Sequence, residues 1–196
     1  YYLALGDSYT IGQSVLEKDR FPVQLVNELN EKNYNFNTPK IIAQTGWTTG
    51  ELKDAILKAN IKKNYDLVTL LIGVNNQYRG NSIDNFRVEF AELLNMSIQY
   101  AGYNTNNVIV ISIPDWGVSP YAENRDRNKI SQEIEGLIAT AAKFKPEDLI
   151  KNFGLKPEEG LGQKLINAKP QQIKSFIKGD SKQAEELRGY LSSKEI

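Results

Sequence analysis

Cysteine and histidine are both absent from the 196 residues. Without cysteine there is no disulfide and no thiolate chemistry, and the redox compartment stays open. Without histidine the chain lacks the side chain that most often serves as general base near neutral pH and as metal ligand; neither a metal nor another cofactor is expected. Excess charge of either sign is missing as well, because 24 Lys and Arg offset 24 Asp and Glu. That balance leaves no basic footprint for nucleic acid. No apolar run is long enough to cross a membrane as a helix. The first residues already read as a strand, so no signal peptide is expected among them. A chain of this length supports one domain of ordinary size with a hydrophobic core.

Short apolar runs alternate with helical patterns. Tyr2-Leu3-Ala4-Leu5 reads as a buried strand that stops at Gly6-Asp7-Ser8. A helix follows from Pro22 to Lys32, with Phe21, Leu25, Val26 and Leu29 at helical spacing and Pro at its first turn. Lys40 to Gln44 forms a second strand, which runs into Thr45-Gly46-Trp47 and then a helix carrying Leu52, Ile56 and Leu57, capped by Thr49 and ending near Asn60. Asp66 to Gly73 is apolar throughout after its first residue, as a strand buried on both faces is, apart from Thr69, and it leads to Val74-Asn75-Asn76. A long helix over Ser82 to Ala101 places Phe86, Phe90, Leu93, Leu94 and Ile98 on one face, and Asn107 to Pro114 is a fourth strand. This alternation predicts a parallel sheet in a three-layer α/β/α sandwich, with the loops after the strands sharing one rim.

The remaining sequence is helical in pattern. Asn124 to Lys143 carries Ile130, Ile134, Leu137 and Ile138, and further helices are expected at 146–153, 157–168, 170–178 and 182–191. A second Gly-Asp-Ser, at 179–181, reads as a helix stop followed by a capping box. The chain is expected to form one domain over 1–196, with an atypical helical segment over 139–196 that covers the edge of the fourth strand or else recruits a partner.

Three strand ends thus carry Ser8, Gly46 and Asn75. By itself the first corner is equally a strand end whose Asp7 or Ser8 caps a helix. Together the three offer what acyl transfer requires: a hydroxyl nucleophile, with the amides of Ser8 and Gly46 and the side-chain amide of Asn75 as donors to a developing oxyanion. Gly6-Asp7-Ser8, Gly46 in its Thr-Gly-Trp corner, and Gly73-Val74-Asn75-Asn76 resemble, in order and spacing, the first three sequence blocks of the SGNH/GDSL hydrolases. The resemblance extends over about residues 2 to 138 and includes Ser-Ile-Pro-Asp-Trp-Gly at 112–117. It implies a flavodoxin-like fold, esterase or lipase chemistry on small acyl esters, Ser8 as nucleophile, and Ser8, Gly46 and Asn75 as the oxyanion hole. By analogy with the family the protein is expected outside the cytoplasm, secreted or periplasmic. Many members carry Asp where this chain has Asn76, a variation the fold is expected to tolerate. Asp7, Trp47, Asn76 and Trp116 are the candidate substrate-binding residues. Trp47, Tyr78 and Trp116 offer an apolar or sugar-stacking wall, or else plain packing.

The final block of the family, Asp-x-x-His, has no counterpart here. Losing the histidine of a cooperating triad costs on the order of 10⁶ in rate and leaves roughly 10³–10⁴ over water. Asp115 is a carboxylate on the expected rim, although an ordinary aspartate is about three units more acidic than histidine. Three readings follow: a serine esterase scaffold with little or no turnover, a non-catalytic binding module for acyl esters or acetylated sugars, and an engineered chimera whose helical tail mediates interaction.

Overall fold

Four short strands, β1 (Tyr2–Gly6), β2 (Lys40–Ala43), β3 (Leu67–Leu71) and β4 (Val108–Val110), pair in parallel in the order β2-β1-β3-β4. The computed structural model describes residues 1–144. The helices expected beyond 144, the second Gly-Asp-Ser and the role expected for the tail lie outside the described residues. Six helices accompany the strands among the described residues: α1 (Ser8–Ile11), α2 (Phe21–Glu31), α3 (Thr49–Ala59), α4 (Val74–Tyr78), α5 (Ile83–Tyr100) and α6 (Arg127–Ala142).

The strand order fixes the layers. The β1-to-β2 crossover runs toward one edge of the sheet, whereas the crossovers from β2 to β3 and from β3 to β4 run the other way. Right-handed connections therefore put α2 on one face and α3 and α5 on the opposite face. The packing agrees with this. Tyr2 and Ala4 lie against Val26 of α2, alternation sends Leu3 and Leu5 to the other side, and all five residues of β1 are buried. Each such aliphatic side chain contributes roughly 1.5–3 kcal/mol on leaving water. One polar pair crosses the core: the Tyr2 hydroxyl and Thr69 Oγ1 are 2.8 Å apart. Burial pushes the Tyr2 phenol up to about 12, only partly opposed by that bond.

Four local expectations need correction. The N-cap of α3 is Thr48, whose N–H donates to Glu51 Oε2 at 2.8 Å in a capping box, because the Thr49 side chain is engaged elsewhere. Leu57, expected on the apolar face of that helix, is 46% exposed. The fourth strand is three residues long and its Ile109 is 48% exposed: among the described residues β4 pairs with β3 alone, and the ladder ends when Ile111 N–H donates to Leu70 O. Finally, α6 starts at Arg127 rather than near Asn124, with Asp126 Oδ1 accepting from Lys129 N.

Candidate active site

The order of the sheet reverses between β1 and β3, and ligands in open α/β sheets bind outside the carboxyl ends of strands at such a point. In the sheet register Gly6 stands level with Ala43 of β2 and Leu71 of β3. Ser8, Gly46 and Asn75 therefore lie two, three and four residues beyond one level line on three adjacent strands.

Ser8 is the first residue of α1. Asp7 caps this one-turn helix, its Oδ1 accepting from Tyr9 N at 3.0 Å. The turn is tight enough to need Gly6, since a Cβ there would stand 2.1 Å from Thr10 Oγ1 and 2.5 Å from Leu71 O. The strand-end-and-cap reading of this stretch thus describes its local geometry. Asp7 is fully buried, its second carboxylate oxygen has no hydrogen-bond partner, and Thr10 Oγ1 is unpartnered on the same turn. Desolvation dominates over the bond from Tyr9 and raises the Asp7 carboxyl to about 6. Ser8 itself is half-buried, and among the described residues no side chain hydrogen-bonds its hydroxyl.

The second and third corners are joined directly. Asn75 Nδ2 donates to Trp47 O at 2.9 Å, and the Arg79 guanidinium donates to Gly46 O while pairing with Glu51. Gly46 has φ +86°, a conformation that favours glycine. Asn76 points away from the rim. It is fully buried, its Oδ1 accepts from Thr49 N at 3.1 Å and its Nδ2 donates to Thr49 Oγ1 at 2.7 Å. The Thr49 hydroxyl in turn donates to Glu89 Oε2. Asn76 and Asp7 therefore lie behind the rim and shape it through their neighbours, while Trp47 and Trp116 are half-buried at its surface.

Beyond β4, Asp115 Oδ1 accepts from Gly117 N at 2.8 Å and caps a short turn at Trp116–Val118. Trp116 Nε1 donates to Gln77 Oε1 at 2.8 Å, and its ring lies 5.7 Å from Tyr78 and 5.8 Å from Tyr121. The sequence alone does not point to Gln77, Arg79 or Arg125. The first two are placed by α4, a five-residue helix too short to show periodicity, and Arg125 by the turn after Pro120–Ala122.

Strand order, corner register and the glycine-dependent Ser8 turn define an α/β hydrolase fold of the SGNH type. Solved structures similar in fold include the SGNH-hydrolase family esterase AlinE4, at 16% identity and a TM-score of 0.56 over 98% of this chain and 92% of that one. They also include TesA, at 14% identity and 0.54 over 98% of each chain. A third is the lipase/acylhydrolase from Enterococcus faecalis, at 19% and 0.51 over 100% of this chain and 94% of that one. The chain belongs to the GDSL-like lipase/acylhydrolase family, which it matches over residues 4–155. Among curated proteins it has no match.

Proposed function

We propose that the chain is a carboxyl-ester hydrolase scaffold in which Ser8 is the nucleophile and the Ser8 amide, the Gly46 amide and Asn75 Nδ2 receive the oxyanion. The observation that carries this reading is the bond between Asn75 Nδ2 and Trp47 O. It engages one amide hydrogen on the neighbouring corner and leaves the second available to a developing oxyanion. In the acyl-transfer step Ser8 Oγ bonds to the ester carbonyl carbon and the carbonyl electron pair moves to oxygen. The alcohol leaves when that pair returns, and the hydroxyl proton of Ser8 has to pass to a base.

No imidazole within the 196 residues can take that proton. We assign this chain weak turnover or none: the loss of a triad histidine, on the order of 10⁶, corresponds to about 8 kcal/mol of transition-state stabilisation. Asp7 and Asn76 act as positioning residues for the Ser8 turn and the α3 corner, and Trp47 and Trp116 form the wall that small acyl esters meet. Hydrolysis of p-nitrophenyl acetate by the chain and by Ser8→Ala tests the reading. A small rate that disappears in Ser8→Ala supports it; equal rates remove Ser8 from the chemistry, and fast Ser8-dependent turnover refutes the assignment of weak activity.

A second reading, a module that holds an acyl ester or acetylated sugar without cleaving it, draws support from the exposed rings of Tyr78 and Tyr121 beside Trp116. Calorimetry with short-chain acids and acetylated sugars tests it, and absence of heat with all of them rejects it.

A further inference from the structure

Arg125 is seated against three aromatic rings on the rim. Its guanidinium carbon lies 5.2 Å from the centroid of Tyr78, 5.5 Å from Trp116 and 5.2 Å from Tyr121, and one of its amino groups donates to Tyr78 Oη at 3.3 Å. The rings are braced from behind. Trp116 is tied through Gln77, which donates to Glu133 Oε2 at 2.8 Å, and Arg127 donates to the carbonyls of Gly117 and Val118 at 2.8 and 2.9 Å. The backbone of Arg125 is held too, its N–H donating to Ala122 O at 3.0 Å.

Aromatic faces attract a guanidinium but carry no net charge to neutralise it. Among the described residues no carboxylate forms an ion pair with Arg125, whose polar side-chain neighbours are the uncharged hydroxyls of Tyr78 and Tyr121. A planar, fully charged fork is thus fixed in place at an exposed position, with no anion beside it among the described residues. The cradle is linked to the Asn75 corner through α4: Tyr78 is three residues after Asn75, on the same face of that helix, where Cβ atoms are about 5–6 Å apart.

We infer that Arg125 in its aromatic cradle receives an anionic group of the ligand, so that the ester presented at the Ser8 corner carries a carboxylate or phosphate. The guanidinium fork matches either anion in a bidentate fashion. The alternative occupant of three clustered rings, a quaternary ammonium ion, requires Arg125 to leave the place it fills. Describing the anionic molecule as a substrate rests on the Ser8 reading above, but its binding does not.

The test is calorimetry on the full chain carrying Ser8→Ala, so that turnover has no influence. The probes are monoethyl succinate, ethyl phosphate, neutral diethyl succinate and choline. At least one anion is expected to bind about tenfold or more tightly than diethyl succinate, as a charge-assisted fork requires. That preference is expected to vanish in Ser8→Ala/Arg125→Gln and to shrink as salt is added. The tighter of the two anions identifies the group. The inference is overturned if neither anion binds, if anion and diester bind equally, if the preference survives Arg125→Gln, or if choline binds and Arg125→Gln strengthens it. Because p-nitrophenyl acetate is neutral and its assay reads Ser8 alone, failure of the nucleophile reading is recognised separately.

Discussion

Replacing Asp7 by Asn should make the protein more stable at pH 8 and leave it nearly unchanged at pH 3.5. Asp7 is fully buried with one oxygen unpartnered, and its carboxyl is raised from 3.8 to about 6. The fold therefore favours the neutral acid. Below about pH 3.8 both folded and unfolded chains hold the proton, and the contribution to stability is fully present. Between there and about 6 the unfolded chain ionises while the folded one does not, and stability falls; above 6 it levels off. A rise from 3.8 to about 6 corresponds to about 3 kcal/mol, a large part of the roughly 5–15 kcal/mol that holds a domain together. Asn retains the acceptor for Tyr9 N and cannot ionise. Urea unfolding followed by circular dichroism at pH 3.5 to 8 measures the gap between Asp7→Asn and the parent chain. The gap is expected to open by about 3 kcal/mol, most of it between pH 4 and 6. Parallel profiles would show that the folded turn accommodates the carboxylate charge, and the reasoning would fail.

Three other substitutions read the geometry directly. Tyr2→Phe leaves Thr69 Oγ1 buried without its partner and should cost about 1–3 kcal/mol in urea unfolding, much of which Thr69→Val added to it should restore. Gly6→Ala drives a methyl into Leu71 O as well as Thr10 Oγ1; the variant should unfold at markedly lower urea, and adding Thr10→Ala should not rescue it because the carbonyl stays. Asn76→Asp removes the donor to Thr49 Oγ1 and turns that hydroxyl away from Glu89, with an expected loss of about 1–3 kcal/mol. No change in the unfolding midpoint would mean that the buried corner accommodates a carboxylate at position 76.

The parallel sheet and its layers were legible because buried strands announce themselves as apolar runs: Leu67 to Leu71 and the four residues before Gly6 admit little else. The crossover helix α5 followed from Phe86, Phe90, Leu93, Leu94 and Ile98, none of them more than 2% exposed. What was not legible depends on which element stands at an edge and which group takes a hydrogen bond first. The Asn107-to-Pro114 run looked like an eight-residue strand, yet apolarity does not report where ladder pairing stops, and β4 ends at Val110. Thr48 and Thr49 are equivalent caps by residue type; Asn76, distant in sequence, decides between them. Asn75 and Asn76 looked alike as rim residues, and one helical step of about 100° separates an amide at the rim from one buried behind it. The aromatic cradle was half visible: Tyr78 and Trp116 were legible as a wall, whereas Tyr121 and Arg125 are brought to it by a turn with no periodicity to read.

The central claim is that Ser8 stands in a formed acyl-transfer site whose base is missing, and chemical rescue tests both halves at once. The measurement is the rate of p-nitrophenyl acetate hydrolysis by the chain and by Ser8→Ala, with and without added imidazole. The expected result is a slow rate without imidazole and, with it, an increase in the parent chain beyond the background increase that Ser8→Ala shares. An identical response of the two proteins to imidazole would contradict the claim.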